Sequence, residues 1–376
     1  MGFIGEQVVL GWLVLERTNS TLMVGAVLAL RMVPFLLLGV IAGAIADRID
    51  RRNLLRWVSI SMAGLSASLS LIIMLNLIAT WHLFLFTFAG GCLRALHQPA
   101  RQSFAYDIVG PSNLVNGLSY LSLGMRVGGI CGSLAVGFLI GRIGADAAYG
   151  VLATSYVGSA IALQFIHSRG QSTSHPELSI RQNLREFGME VLRNNTLRML
   201  LILAASVEIL GFSHQVLLPV IARDILDVGA EGLGVMNALR SVGGITAILA
   251  LSSLGEIQRK GLLYLIVLNV FGVSLVLLGF ADTFYLTVAV IIVINGMGAL
   301  SDILSQSLVQ TVVPDEMRGR AMGSWALAVG LGPVGHLQIG VLAAVLTVNL
   351  ALVLHGIGLL ALAIVALFMS PRIRRL

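Results

Sequence analysis

The sequence predicts an all-α membrane protein, a bundle of twelve helices arranged as two repeats of six. Three observations carry that prediction. The 376 residues are 57% hydrophobic and only 11% charged, whereas a soluble surface needs about a quarter of its residues charged. Apolar runs of about 20 residues, the length that crosses a bilayer, recur twelve times along the chain. The second and eighth of these runs superpose without a gap. A mean hydropathy of +0.93 and 42 glycines suit helices packed closely on one another in lipid. A soluble enzyme, a secreted disulfide scaffold and a disordered protein are excluded.

The runs fall at 1–16, 22–46, 55–77, 81–101, 113–141 and 145–166. After a polar stretch from His167 to Asn195 they resume at 197–221, 231–255, 261–280, 283–306, 318–347 and 349–370. The first is short. About 16 residues at about 1.5 Å each reach roughly 24 Å against a core of about 30 Å, so the first helix is expected to be truncated or the true start to lie upstream. Residues 177–193 predict a helix outside the membrane, with Leu178, Leu184, Phe187, Val191 and Leu192 roughly on one face and Arg181, Arg185, Glu186 and Glu190 on the other. The expected domains are an N-terminal six-helix bundle (1–166), a cytoplasmic linker containing that helix (167–196), and a C-terminal six-helix bundle with a short basic tail (197–376).

Loop charges alternate. One side carries Arg48, Arg51, Arg52 and Arg56, then Arg101, then Arg169, Arg181, Arg185, Arg193 and Arg198, and later Arg259, Lys260, Arg318, Arg320, Arg372, Arg374 and Arg375. The other holds Arg17, Arg142 and Arg223 amid acids such as Glu16, Asp146, Asp224, Asp227, Glu231 and Asp282. Excess basic charge marks the cytoplasmic side, so both termini are expected there. In a soluble chain the net charge of +6 would suggest nucleic acid. Here it reads as orientation in a bilayer, and no nucleic-acid partner is expected. Cys92 and Cys131 lie inside apolar runs with no zinc spacing, and packing accounts for them.

The repeat is carried by charged positions. VGAVLALRMV (24–33) lies over LGVMNALRSV (233–242), and the same offset maps Arg31 onto Arg240, Asp47 onto Glu256 and Arg51 onto Lys260. IVGPSNL (108–114) lies over VVPDEM (312–317) at a slightly smaller shift, pairing Pro111 with Pro314. Hydrophobic matches arise cheaply by chance, but charges in and beside spans are costly and their coincidence is informative. Parallel repeats of this kind occur in transporters that rock two bundles about a site at mid-membrane.

At the end of the second span the chain reads Gly43-Ala-Ile-Ala-Asp47-Arg48-Ile-Asp50-Arg51-Arg52. This resembles the G-x-x-x-D-R-x-G-R-R loop of the major facilitator superfamily, with Asp50 where the family has its second glycine. The resemblance implies a cytoplasmic latch in which Gly43 permits close helix contact, Asp47 is the acid, and Arg48, Arg51 and Arg52 are its basic partners. Gly124, Gly128 and Gly132 form a small-residue stripe in the fifth span, sufficient for packing. They partly resemble the superfamily's exporter-associated glycine motif, without its proline at Ile130. The segments GWLVLERTNSTLMVG (11–25), QPARQSFAYDIV (98–109) and VVPDEMRGRAMG (312–323) are similar to the drug and siderophore exporter branch that includes enterobactin exporters. A major-facilitator-type bundle is implied over nearly the whole chain, with efflux as the implied activity.

Six charges lie near mid-membrane. Glu6, Arg31, Arg94, Arg126, Glu208 and Arg240 each sit roughly ten to fourteen residues from the nearer loop, close to the middle of a core of about 30 Å. A charge there costs several kcal/mol unless it faces a wet cavity or a partner. Two readings stay open: the six face substrate, or they pair as structural bridges, Glu6 with an arginine and Glu208 with Arg240. Pairing leaves two arginines over, and that excess attracts anions in a partly desolvated cavity. A substrate that is anionic or carries acidic hydroxyls, such as a catecholate siderophore, is expected. Glu208 is the candidate proton carrier, opposed by any neighbouring arginine. Asp302 lies nearer the cytoplasmic end and reads as a gate or cap residue. His214, His336 and His355 lack metal-ligand spacing and read as satisfied core histidines.

The functions compatible with these residues are a proton-driven exporter of small organic molecules, an uptake carrier for an organic anion, and a membrane sensor or scaffold that kept the fold. An ATP-driven permease would need a G-x-x-x-x-G-K-[ST] run, and the one lysine, Lys260, follows Arg259. No nucleophile, base and orienting group appear together, so no enzyme is expected. No cofactor or metal is expected. The expected partners are a small-molecule substrate, protons and the bilayer, with the chain acting as a monomer in a bacterial inner membrane.

Overall fold

The computed structural model describes residues 2–110, 114–166, 191, 193–253, 258–314 and 317–376, with the backbone alone described at 39–44, 46–48, 114–116, 118–119 and 318–320. Helices dominate, and no strand occurs among the described residues. Twelve rods follow in order: α1 (Gly2–Thr18), α2 (Thr21–Arg48), α3 (Arg51–Met74), α4 (Thr80–Val109), α5 (Leu114–Arg142) and α6 (Ala145–Ala162), then α7 (Asn195–Ile225), α8 (Gly229–Ser253), α9 (Lys260–Gly279), α10 (Phe284–Thr311), α11 (318–345) and α12 (Val348–Met369). A last turn, α13 (Pro371–Arg375), follows. Among the described residues, nine helices are long and apolar enough to cross a membrane by length and composition alone. Those nine do not include α1, which has 17 residues, α4, whose course carries Arg94 and Arg101, or α6. The predicted linker helix at 177–193 lies outside the described residues, apart from Val191 and Arg193.

Local chemistry starts the rods where the sequence changes. Side chains of Ser20, Asp50, Asn194 and Thr347 accept from the backbone N–H three residues on, capping α2, α3, α7 and α12. Asp50 thus takes a role of its own in the turn where the family motif has glycine. The repeat is legible in the backbone: Arg51 opens α3 and Lys260 opens α9, and the turns before α2 and α8 use Asn19 (φ 48°) and Asp227 (φ 50°). Asn and Asp are the side chains that most readily adopt this left-handed conformation.

Two rods depart from expectation. The fourth was expected to end near residue 101, yet α4 runs on to Val109 through Pro99. A proline removes one backbone donor and crowds one carbonyl, a local cost that α4 bears without ending. The seventh was expected as a regular helix. Instead α7 passes from α-helix into a π turn at Val207–Gly211, a tight turn at Phe212–Val216, and a second π turn at Ile221–Ile225. Pro219 cannot donate to the Gln215 carbonyl, and the freed groups are taken up by wider and tighter turns.

The chain divides into two compact units. One comprises the described residues within Met1–His175 and Ala222–Ala238, the other those within Pro176–Ile221 and Leu239–Leu376. In the first, α3 packs on α6 and α4, α2 packs on α4, and α1 lies against α5 and α6. In the second, α9 packs on α12 and α10. The packing of the third rod on the sixth in one unit recurs as the ninth on the twelfth in the other.

Close approach is set by glycine at two places in the first unit. A Cβ on Gly91 would stand 2.7 Å from the Arg31 carbonyl oxygen and 2.9 Å from Pro34 Cγ, so its absence lets α4 close on α2. A Cβ on Gly137 would stand 2.7 Å from the Cα of Gly234, and α5 meets α8 there backbone to backbone.

Candidate substrate and coupling site

In the first unit, α1, α2, α4 and α6 bring polar groups together inside the apolar core. Arg31 is 6% exposed and Glu6 17%. Arg31 Nη2 donates to the Phe3 carbonyl at 2.6 Å and to Glu6 Oε2 at 3.4 Å, while Nη1 donates to Gln7 Oε1 at 3.4 Å. Tyr156 donates from its hydroxyl to Glu6 Oε2 at 3.5 Å. Arg94 Nη2 reaches the same Phe3 carbonyl at 3.4 Å, and its guanidinium lies over the Phe3 ring, 4.1 Å from the centroid. Phe3 also makes edge contacts with His97 and Tyr156. The Glu6–arginine bridge expected from sequence exists, and its partner is Arg31. Removing one member would leave a buried charge uncompensated.

Beside this network lies a cavity of about 210 Å³ lined by Phe3, Ile4, Gln7, Arg94, His97, Gln98, Arg101 and Met125. Of the six predicted mid-membrane charges, Arg94 lines it. Arg31 and Glu6 stand behind it, and Arg126 sits partly buried on α5 next to Met125. His97, Gln98 and Arg101 were missed in the sequence. The signal was present: residues 94, 97, 98 and 101 share one helical face within the expected span, but Arg101 reads as a loop charge at its end, and His97 and Gln98 are less conspicuous there than a fixed charge.

The second unit is different. Glu208 occupies the π turn of α7 and is 8% exposed, with Asp302 of α10 as its charged neighbour. The antiparallel packing explains this: Gly298 meets the ring of Phe212, and one turn along the same contact Asp302 comes opposite Glu208. Arg240, 8% exposed on α8, lies within electrostatic reach of His214. The charged group that acts on Glu208 is thus a second acid, Asp302. The three histidines are buried, and none has both ring nitrogens satisfied. His214 Nδ1 donates to the Gly211 carbonyl at 2.7 Å, and His355 Nδ1 lies 2.9 Å from Ser213 Oγ, whereas the Nε2 atoms of both have no hydrogen-bond partner.

Of the predicted latch, the side chains of Gly43, Asp47 and Arg48 lie outside the described residues. Arg51 Nη1 lies 2.8 Å from both carboxylate oxygens of Asp107 on α4, with the two side chains 11% and 13% exposed. Arg52 Nη1 donates to the Ile166 carbonyl at 2.8 Å. Asp107 was not singled out in the sequence, although it lies in the QPARQSFAYDIV segment. At the other end of the first unit, Arg142 Nε meets Glu231 at 2.6 Å and Arg223 Nη1 donates to Asn19 Oδ1 at 2.9 Å. Cys92 and Cys131 are free, and Cys131 is exposed, so packing accounts for the first alone.

Twelve apolar rods in two repeats, with arginines and acids held at mid-rod, define a transporter of the major facilitator type and not an enzyme. Residues 1–374 match the profile of the transmembrane secretion effector family, and the chain belongs to that family of multi-pass membrane transporters. It is 25% identical to the staphyloferrin A transporter of Staphylococcus aureus over 99% of this chain and 94% of that one. It is also 25% identical to the enterobactin exporter EntS of Shigella flexneri, over 95% and 85%. Among solved structures, a bacterial homologue of the lysosomal transporter Spinster superposes with a TM-score of 0.77 at 15% identity, covering 99% of this chain and 94% of that one. A peptide transporter of the POT family superposes with a TM-score of 0.82 at 11% identity, covering 99% and 93%. These likenesses support the fold. The siderophore transporters support the sequence resemblance to that branch.

Proposed function

We propose that this chain is a proton-coupled exporter of small organic anions of the siderophore type, working by alternating access in a bacterial inner membrane with both termini cytoplasmic. The observation that carries the reading is Arg94, a guanidinium held over Phe3 at the wall of a cavity near mid-membrane. Such a charge costs several kcal/mol in lipid unless it meets water or an anion. The siderophore relatives support the substrate class, and the enterobactin exporter supports the direction. Arg31 and Glu6 support Arg94 from behind, Arg126 and Arg240 add positive field, and Glu208 beside Asp302 exchanges the proton. The N-terminal (1–166) and C-terminal (197–376) bundles move as the two bodies about the linker at 167–196, and the chain acts as a monomer.

The cytoplasmic latch belongs to the same proposal: Asp47, with Arg48, Arg51 and Arg52, forms and breaks a contact in every cycle. Asp47→Asn abolishes or strongly slows transport while membrane insertion stays intact. Everted membrane vesicles test the whole reading. An imposed proton gradient drives uptake of an anionic siderophore into them, and a lipophilic cation is moved poorly. Preferred movement of the cation, still carried by Arg94→Gln and Arg126→Gln, overturns the anion reading. Accumulation only in right-side-out vesicles makes the protein an uptake carrier.

A further inference from the structure

Resting on the proposed anion transport, we infer that one face of α4, Arg94, His97, Gln98 and Arg101, is the anion-recognition strip, binding a single carboxylate-bearing arm of the cargo, and that Arg31 is a positioning residue. All four residues of the strip line the same cavity. Their spacing of three, four and seven puts them on one face of the helix, with the two arginines two turns apart, roughly 10 Å along the axis. Guanidinium groups on long side chains close that gap from both ends toward a carboxylate between them. Gln98 and His97 lie in the intervening turn, where an amide N–H and a ring nitrogen can complete the oxygens' hydrogen bonds.

The donors are unequally occupied, and this separates binding from positioning. Arg31 is nearly enclosed and donates to the Phe3 carbonyl, Glu6 and Gln7. It holds α1 against α2 and thereby fixes Phe3, on whose ring Arg94 rests. Arg94 makes one long hydrogen bond, at 3.4 Å, to that carbonyl. Its face is covered by the ring, and its remaining N–H edge is left for a ligand. Arg101 has its Nε buried without a hydrogen-bond partner. A buried donor left unmade is costly, and the side chain that carries it lines the cavity.

Size decides the ligand class. The cavity measures about 210 Å³, below the roughly 300–1,000 Å³ that encloses a drug-sized ligand. It admits one arm of a larger molecule. Two arginines, a glutamine and an imidazole select a carboxylate for that arm over an ammonium group or an uncharged ring.

The test uses the purified full-length protein in lipid nanodiscs, with glutarate as the probe and its uncharged diamide as control. Glutarate raises the thermal midpoint of the unmodified protein, and the diamide does not. Arg101→Gln weakens glutarate binding at least tenfold, and Arg101→Lys, which keeps the charge without the planar fork, recovers part of it. Should Arg101→Gln fail to fold, Gln98→Glu serves. It places a carboxylate on the solvent-accessible rim, one turn from each arginine, and it too suppresses glutarate binding. In vesicles, Arg101→Gln raises the KM for an anionic cargo at least tenfold with kcat unchanged, whereas a purely structural role would lower kcat or yield. Equal glutarate binding by the unmodified protein, Arg101→Gln and Gln98→Glu overturns the strip. Anion transport with an unaltered KM in Arg101→Gln also overturns it, and leaves the transport reading standing. Glutarate binding through Arg101 in a protein that moves no anion sinks the transport reading and keeps the site.

Discussion

The two repeats carry an arginine at matching positions, Arg31 and Arg240, both buried, yet their surroundings have diverged. Arg31 is tied to a backbone carbonyl, a glutamine and a glutamate. Arg240 lies near a half-satisfied histidine. The fourth and tenth rods tell the same story. Shifted by the offset that pairs Pro111 with Pro314, Arg94, His97, Gln98 and Arg101 fall on Met297, Leu300, Ser301 and Leu304. In exchange, α10 carries Asp302 near Glu208, where α4 has Pro99 or a close neighbour. A duplicated scaffold has kept its packing and split its chemistry: a basic strip in one unit, an acid and histidine cluster in the other. The proposed exchange of anions for protons would use both.

The largest expected effect tests the basic unit. Arg31→Gln leaves Glu6 without its ion-pair partner and the Phe3 carbonyl with only the long bond from Arg94, and breaking such a buried pair costs about 3–5 kcal/mol. Thermal unfolding of the purified protein should show it, with much of the loss restored in the Glu6→Gln/Arg31→Gln double variant. An Arg31→Gln protein as stable as the parent would erase the contrast with Arg240. Glu208→Gln tests the acidic unit. Gradient-driven accumulation should fall at least tenfold while counterflow exchange persists, and unimpaired accumulation would move the coupling proton elsewhere.

Smaller effects probe packing. Gly137→Ala pushes a methyl into the backbone of Gly234 and should cost about 1–3 kcal/mol. Gly124→Ala, in the same helix with nothing within 4 Å of the added carbon, should be neutral or stabilise by up to about 1 kcal/mol. Equal effects at the two sites would mean that Gly137 and Gly234 do not form a close helix contact. Least of all, Arg142→Gln removes an ion pair whose side chains are 66% and 44% exposed. Its unfolding midpoint should barely move, since exposed pairs contribute about 0–1 kcal/mol.

Most of the architecture was legible in the chain. Hydrophobic run length fixes where a helix can cross lipid, and matching charges such as Arg31 with Arg240 reveal the repeat, so most rods fall close to their expected limits, the fourth and tenth running on several residues further. The site was legible only in part. Glu6, Arg31 and Arg94 stood out because a charge in an apolar run is conspicuous. Arg101, Gln98 and Asp107 did not: Arg101 sits at the very end of the expected span and reads as a loop charge, Gln98 is uncharged, and Asp107 lies beyond that span.

By itself, then, the sequence determined class, rod count, repeat and the residue types available at mid-membrane, since these follow from transfer free energies that depend on composition and spacing. Tertiary structure decided the pairings: Arg31 with Glu6 and Phe3, Arg51 with Asp107, Glu208 beside Asp302. It also decided where α7 leaves α-helical geometry. Which charges meet depends on the rotation and register of neighbouring helices, and close approaches such as Gly91 on Arg31 and Gly298 on Phe212 set that register through contacts distant in the chain.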